Sequence, residues 1–291
     1  MDGAWKSPNG AVGVSEAASP TQPRRADVVA SYDLGVEAYE KLWSPVILPA
    51  AVALVPWLGL GDGSVVADIG AGTGALAGAI ASASPTARVV ALDASAEMLR
   101  VAHLQRGAPA VQADALALPL AAKTVDAVVL AYVLFHLADP LSALHEAARV
   151  LRHGRRVATV TWASERAEPA QTLWNSVLAE AGVPALPSRR IDSGLDSPDG
   201  LDKLLRKAGL VPERIWAEQL ERRWDRESFW ALATGSGVNR LRLGLIDPAA
   251  RSGVLARLHD ALSRLGPEDY RWEGQVICAV AIKPGAGGRR E

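Results

Sequence analysis

The stretch from Val65 to Gly74 constrains the fold of this chain more than any other. It reads VVADIGAGTG, an apolar, mostly β-branched strand that runs into three alternating glycines. Such a strand is typical of a parallel sheet covered by helices on both faces. The glycines allow a tight turn and a close approach of the backbone to a ligand, and the next residues open a helix whose N-terminal amides face the same site. The sequence therefore predicts a nucleotide-type binding site in an α/β fold.

The glycine turn by itself fits two classes of cofactor. It also matches the dinucleotide fingerprint, and nicotinamide and adenosyl cofactors both carry a ribose. A second strand, Arg88 to Leu92, ends in Asp93, roughly the 20 residues downstream at which such folds place a ribose-binding carboxylate. Two further acids, Asp68 inside the turn and Asp114 after a third short strand, favour the adenosyl cofactor.

The order of these motifs resembles that of the class I S-adenosylmethionine-dependent methyltransferases, in particular the small-molecule branch described as methyltransferase type 11 or ubiquinone-biosynthesis-like. The resemblance runs from about residue 32 to about residue 210. One departure is RHGR at 152–155, where relatives usually read Arg-Pro-Gly-Gly before the fifth strand. The matching segments are DIGAGTG at 68–74, ALDASAEML at 91–99, QADA at 112–115, LP at 118–119, TVDAV at 124–128 and VLFHLADP at 133–140.

The resemblance implies a doubly wound, Rossmann-like sheet of seven strands, mostly parallel with an antiparallel last strand. It implies S-adenosyl-L-methionine as methyl donor, S-adenosyl-L-homocysteine as product, and in-line transfer to an O, N or C atom of a small molecule. The glycine turn would line the methionine part, with acids at the ribose and adenine. The predicted cofactor contacts are Asp68, Gly70, Ala71, Gly72, Gly74, Asp93, Ala94, Met98, Asp114, Ala115, Ala131 and Tyr132.

The candidate catalytic residues are His136 and Tyr132, just after the fourth strand. A histidine at the rim of the site can take a proton from an attacking hydroxyl. The alternative is a histidine that only shapes the loop. A sulfonium is already an activated leaving group, so positioning of the nucleophile can supply most of the barrier reduction without a base.

Aromatic residues suggest an apolar or aromatic acceptor. The chain has nine tryptophans against two phenylalanines, and Tyr32 is spaced to share a helix face with Tyr39 and Trp43. Each of these rings can equally be a core anchor. The predicted substrate contacts are Tyr39, Trp43, Trp162 and Trp174.

Composition narrows the partners and the compartment. A formal net charge of −1 over 291 residues gives no electrostatic footprint for nucleic acid or an anionic membrane. The lone Cys278 excludes an intramolecular disulfide, and the N-terminal residues lack the apolar core of a secretory signal. No residues show metal-ligand spacing. We expect a cytoplasmic, metal-independent protein of bacterial type, with a small-molecule partner and an oligomeric state that the sequence does not indicate.

The chain divides by pattern into a core and its additions. We expect a disordered tail at 1–25, a helical cap at 26–60, the cofactor-binding core at 61–162, a lid or substrate insertion at 163–197, the rest of the core with a helical insertion at 198–284, and a flexible tail at 285–291. Two alternatives stay open on the sequence: an NAD(P)-dependent oxidoreductase on a Rossmann-type sheet, and a methyltransferase-fold protein that uses the adenosyl cofactor structurally, as a cyclase or a regulatory subunit.

Overall fold

A computed structural model describes residues 25–185 and 194–285 of the chain. The structural statements below concern these two ranges. The predicted N-terminal tail up to residue 24, part of the predicted lid (186–193) and residues 286–291 of the predicted C-terminal tail lie outside the described residues.

One mixed sheet of seven strands organises the fold, in the order β3-β2-β1-β4-β5-β7-β6. Strands β1 to β5 run parallel to one another, and β7 runs antiparallel between β5 and β6. This confirms the predicted doubly wound sheet with an antiparallel last strand. The strands are β1 (Val65–Ile69), β2 (Arg88–Asp93), β3 (Ala110–Gln112), β4 (Val125–Ala131), β5 (Leu151–Arg166), β6 (Val211–Arg223) and β7 (Arg271–Ile282).

The central strand β4 shows why the sequence folds this way. Five apolar residues from Ala127 to Ala131 follow one another, as expected where helices cover both faces of a sheet. Asp126 is the polar exception at the start of the strand. Its carboxylate accepts a hydrogen bond from the amide of Val65 at 3.0 Å and pairs with Arg152 at 2.7 Å. The one charge in β4 is thereby satisfied at the edge opposite the glycine turn.

Helices cover both faces of the sheet and the edge where the parallel strands end. At α6, Asp139 caps the helix by accepting from the amide of Ser142 at 3.0 Å, and Pro140 takes the first helical position, as predicted. The helices are α1 (Arg25–Asp33), α2 (Val36–Ala38), α3 (Ser44–Val52), α4 (Leu76–Ala83), α5 (Ala96–Arg106), α6 (Pro140–Val150), α7 (Pro169–Glu180), α8 (Pro198–Lys207), α9 (Arg226–Gly235), α10 (Gly237–Gly244) and α11 (Arg251–Ser263), with short 3₁₀ turns at Val55–Trp57, Leu134–His136 and Pro267–Tyr270.

The N-terminal helices, residues 25–57, form a roof over that edge. Between α2 and α3 the chain makes a π-helical turn, Tyr39–Trp43, a rare conformation that is frequent at functional sites. Residues 36–57 are long and apolar enough to cross a membrane by length and composition. In this fold Ala50 and Leu54 of the same run are fully buried in the core. Helices α9 and α10 pack against the roof from outside.

Strand β5 is longer than the sequence predicts. The sequence places the end of the core at residue 162, but β5 continues to Arg166, because β7 pairs with it as far as Arg166 opposite Glu273. A register shift lies between Trp162 and Ser164. Residues 163–166, predicted as the start of the insertion, are therefore part of the sheet. Antiparallel pairing with a strand more than 100 residues away leaves no local signal in the sequence.

Candidate cofactor and acceptor site

A cavity lies between the roof and the carboxyl ends of β1, β2 and β4, where ligands bind in sheets of this type. It is lined from both sides. From the roof come Val28, Val29, Tyr32, Tyr39, Trp43 and Ile47, and from the sheet edge come Ile69, Gly70, Gly72, Leu92, Asp93, Ala94, Ser95, Met98, Ala113, Asp114, Ala115, Leu118, Ala131, Tyr132, Val133, Phe135, His136, Leu137 and Trp162.

The three glycines of the turn serve different contacts. All have positive φ, at 68°, 55° and 74° in chain order. A Cβ on Gly70 would lie 2.2 Å from Cγ2 of Val133, and one on Gly74 would lie 3.0 Å from Cβ of Ala102, so these two permit packing of the protein on itself. At Gly72 the nearest atoms belong to the Tyr39 ring, 4.0 Å away. Gly72 is therefore the glycine that leaves backbone open toward the cavity.

Asp93 is fixed at the end of β2 beside this opening. Its Oδ2 accepts from the amide of Gly72 and its Oδ1 from the amide of Ser95, both at 2.8 Å. Burial raises the pKa of the carboxyl, and these amides oppose the effect without cancelling it. Each carboxylate oxygen has a second lone pair, so Asp93 can still accept two hydroxyl hydrogen bonds.

Asp68 lies behind the turn and does not line the cavity. It is 2 % exposed, on β1 between Ala91 of β2 and Val129 of β4. Burial, and then the negative charge of Asp93, raise its pKa to about 7. Ala71 and Gly74 are likewise outside the lining. The structure thus brings the other predicted cofactor contacts together and sets these three behind them.

Asp114 lines the same cavity, at the other end of an apolar trough that begins at Asp93. Its Oδ1 accepts from the amide of Leu116 at 3.0 Å, which fixes the carboxylate just after β3. Ala115, Met98 and Ala94 line the cavity between the two acids. Two carboxylates at the ends of an apolar trough suit a ribose at one end and an adenine edge at the other.

Tyr132, a candidate catalytic residue, has its hydroxyl committed to the backbone. It donates to the carbonyl of Ile47 in α3 at 3.0 Å. The residue has φ of +59°, a left-handed conformation that a bulky residue adopts only when its surroundings demand it. Its amide donates to the carbonyl of Val160 at 2.9 Å. These contacts join the end of β4 to the roof.

His136 does not stand alone at the rim. Its Nε2 lies 2.9 Å from the hydroxyl of Tyr32 in α1, and the two rings meet edge to face. Phe135 packs beside the imidazole, with ring centroids 4.2 Å apart. Tyr32 is not among the site residues predicted from the sequence. Its spacing of seven residues from Tyr39 was the signal that could have found it.

A wall of tryptophans borders the cavity on the side of β5. Trp43 of the π-helical turn stacks on Trp162 at a centroid distance of 6.2 Å, and Trp272 of β7 meets both edge to face. Gly274 makes room for this cluster, since a Cβ there would lie 2.6 Å from the Trp272 ring. Trp272 was missed by the sequence analysis because antiparallel pairing from the end of the chain brings it here.

The structure does not bring Trp174 to this cavity. The residue is fully buried in α7, against Phe229 and Trp230 of α9. Residues 163–185 and 194–197, the described parts of the predicted lid, contribute no lining either. In the described chain the cover over the site is the roof, and Trp174 is a core anchor.

The roof is fastened to the turn by a charged contact. Glu40, in the π-helical turn, pairs with Arg106 of α5 at 2.5 Å and accepts a short hydrogen bond from the hydroxyl of Thr73. Arg106 also donates to the carbonyl of Thr73 at 2.7 Å. We call Glu40, Thr73 and Arg106 the latch. The latch holds Tyr39 over Gly72. Within residues 25–185 and 194–285 no group of three or more His, Cys, Asp or Glu side chains could hold a metal ion.

Comparison with known proteins agrees with this geometry. The methyltransferase domain family matches residues 67–159. A malonyl-[acyl-carrier protein] O-methyltransferase of Methylococcus capsulatus is 34% identical over 160 residues, which is 53% of this chain and 54% of that protein. A demethylmenaquinone methyltransferase of Mycobacterium sp. (strain JLS) is 35% identical over 124 residues, 43% of this chain and 53% of that protein. The chain thus spans about half the length of these curated relatives.

Solved structures share the fold. The YcgJ protein of Bacillus subtilis has a TM-score of 0.53 at 19% identity, over 82% of this chain and 100% of that chain. The [4+2]-cyclase SpnF has a TM-score of 0.55 at 22% identity, over 92% and 99%. Together with the matched domain, the sheet and its glycine turn show that the chain contains a class I methyltransferase domain. The motif series predicted such a domain, and the two curated relatives are named for malonyl-[acyl-carrier protein] and demethylmenaquinone.

Proposed function

We propose that this protein transfers a methyl group from S-adenosyl-L-methionine to an O, N or C atom of a small organic molecule by in-line displacement. One observation carries the proposal: a single cavity joins the glycine turn and Asp93 to a wall of aromatic side chains. When bound, the cofactor supplies an electrophilic methyl group on a positively charged sulfur. The methyltransferase domain at 67–159 supports methyl transfer over nicotinamide-dependent oxidation.

The described residues fit such a cofactor by their chemistry. Asp93 would accept from the two ribose hydroxyls, and Asp114 would lie at the adenine edge. A hydrogen bond to a carboxylate contributes on the order of 1.5–3 kcal/mol, so Asp93 would be a main determinant of affinity. Gly72 would let the backbone approach the methionine part, because open space lies above it.

The acceptor would lie on the other side of the donor methyl group, against the aromatic wall. Tyr39, Trp43 and Trp162 line that side, with Ile47 and Phe135 beside them. These side chains exclude water and hold a flat, apolar body in place, so that the nucleophilic atom meets the methyl group in line. Positioning is the main contribution that this chain would make to the rate.

Isothermal titration with S-adenosyl-L-methionine, S-adenosyl-L-homocysteine and NAD tests the cofactor class. We expect micromolar binding of both adenosyl compounds and none of NAD. Asp93→Ala should abolish that binding, while Asp62→Ala, an exposed acid before β1, should leave it unchanged. Binding of NAD alone would contradict the proposal. If the protein binds S-adenosyl-L-methionine but forms no S-adenosyl-L-homocysteine with any acceptor, the cofactor has a structural use instead.

We further propose a cytoplasmic protein that needs no metal. Cys278 is buried, and burial raises the pKa of its thiol to about 12, so the thiol stays protonated and unreactive. Part of the apolar run in the roof, including Ala50 and Leu54, is buried in the core. Turnover should persist in EDTA, and the protein should stay in the soluble fraction of its host after lysis. Loss of turnover in EDTA, or recovery with membranes, would contradict these two proposals.

A further inference from the structure

We infer that Trp272 and Gly274 of β7 are positioning residues that determine which acceptors this protein takes. Neither residue lines the cavity. Together they set how far the rings of Trp43 and Trp162 reach into it. The inference deepens the proposed function and rests on it, because it names the acceptor as a flat, fused-ring body whose size these two residues limit.

The aromatic wall has two layers. Trp43 and Trp162 form the layer that faces the cavity. Trp272 forms the layer behind it: the residue is 6 % exposed, and its ring centroid lies 5.1 Å from that of Trp43 and 5.8 Å from that of Trp162. Because protein interiors are close-packed, a change of volume behind the two cavity-facing rings moves those rings. Trp272 is therefore the support against which both of them rest.

Gly274 fixes where that support stands. Its φ is not in the left-handed region, so the backbone does not require glycine there, and glycine inside a strand is destabilising. What requires glycine is space: a Cβ at this position would lie 2.6 Å from Cη2 of Trp272 and 3.0 Å from Cζ3 of Trp162. The two rings thus occupy the volume that any other side chain at position 274 would fill.

Strand β7 is held on both sides and cannot relieve such a clash by moving. It lies between β5 and β6, and Gly274 is opposite Glu165 on one side and Leu220 on the other. The rings must move instead, and the space open to them is the cavity. A side chain at position 274 therefore narrows the acceptor space. A smaller side chain at position 272 widens it, because Trp43 and Trp162 can then fall back.

Both changes lie away from the cofactor's part of the cavity. The glycine turn follows β1 and Asp93 ends β2, whereas β4 and β5 stand between β1 and β7 in the sheet. We therefore expect substitutions at 272 and 274 to change the selection of acceptors and to leave the affinity for S-adenosyl-L-homocysteine as it is.

Quinoline and acridine, flat molecules of two and three fused rings that are both uncharged at pH 8, serve as probes of the acceptor space. Equilibrium dialysis with saturating S-adenosyl-L-homocysteine measures the affinity for each probe without using tryptophan fluorescence. Gly274→Ala should lower the ratio of acridine to quinoline affinity about tenfold, because it overpacks the wall. Trp272→Leu should raise that ratio severalfold, and Trp272→Phe, which keeps an aromatic ring, should give an intermediate ratio.

The control is Gly61→Ala. Gly61 is exposed before β1, its φ is also outside the left-handed region, and a Cβ there would meet no atom within 4 Å, so the ratio should stay at the wild-type value. Shifts of the ratio in opposite directions mark a limit on acceptor size, since a loss of stability alone would weaken both probes in both variants. Unchanged ratios, ratios that move in the same direction, or a wild-type protein that binds neither probe would overturn the inference.

Calorimetry with S-adenosyl-L-homocysteine separates the two levels of proposal. Every variant at positions 272 and 274 should bind this compound as the wild-type protein does, which also shows that the variant is folded. Failure of the wild-type protein to bind it refutes the methyltransferase function. Binding of S-adenosyl-L-homocysteine together with unchanged probe ratios refutes only the roles of Trp272 and Gly274.

Discussion

Replacement of Asp68 by asparagine tests the electrostatics behind the glycine turn. Asp68 is buried, and its pKa is raised from 3.8 to about 7 by burial and by the charge of Asp93. An acid whose pKa is higher in the folded state opposes folding once the unfolded chain has ionised. That penalty begins as the pH rises above about 4 and is complete above pH 7.

The size of the effect follows from the two pKa values. Between pH 5 and pH 7 the folded protein keeps a proton that the unfolded chain has lost, so the free energy of unfolding falls by about 1.4 kcal/mol per pH unit. From pH 5 to pH 9 the wild-type protein should lose roughly 2–3 kcal/mol through Asp68. Asp68→Asn lacks this loss. Its stability relative to wild type should therefore rise by that amount, mostly between pH 5 and 7.

Urea unfolding of both proteins at several pH values between 5 and 9, without cofactor, measures this difference. The control is Asp126→Asn. Burial opposes ionisation of Asp126, but Arg152 and the Val65 amide outweigh it and hold the pKa of Asp126 below its usual range. Asp126 therefore stabilises at neutral pH and loses its contribution as the pH falls. A stability difference between Asp68→Asn and wild type that stays flat from pH 5 to 9 would refute the reasoning.

Three further changes test the packing around the site. Gly70→Ala should destabilise the protein by about 1–3 kcal/mol more than Gly63→Ala in chemical denaturation, because both glycines have φ of +68° but only Gly70 would place its Cβ against Val133. Arg106→Met removes the charged contact of the latch and should therefore speed release of S-adenosyl-L-homocysteine severalfold, as measured by stopped-flow fluorescence. An unchanged rate would mean that the latch does not hold the roof closed. Tyr132→Phe should lower the melting temperature by an amount equivalent to about 1 kcal/mol, the loss of one hydrogen bond to Ile47, and an unchanged melting temperature would contradict that contact.

Local patterns predicted the sheet and the glycine turn. The apolar strand before Gly70, the acid at Asp93 and the capped helix after Asp139 each lie within a few residues of the signal that identifies them. Parallel strands joined by helices then place their carboxyl ends at one edge, so the relative positions of Asp93, Asp114 and His136 follow from topology. Most of the proposed cofactor contacts line one cavity for this reason.

The parts that the sequence could not provide depend on contacts between distant segments. Trp272 reaches the aromatic wall only because β7 pairs with β5, and Trp174 leaves it because α7 packs on α9. Tyr32 meets His136 across 104 positions of sequence. In the sequence Asp68 and Asp93 look equivalent, as acids where apolar strands end, and only the fold shows that one is buried behind the turn while the other borders the cavity.

The position of β7 inside the sheet has a consequence for how the protein assembles during synthesis. Strand β6 is made before β7, yet β7 is the strand with which it pairs in the sheet. Until the residues from 271 onward leave the ribosome, β5 has an open edge and β6 has no neighbour. Unpaired edges of this kind invite association between chains. A chain interrupted before β7 should therefore keep its glycine turn and its first five strands, and should aggregate through the exposed edge of β5.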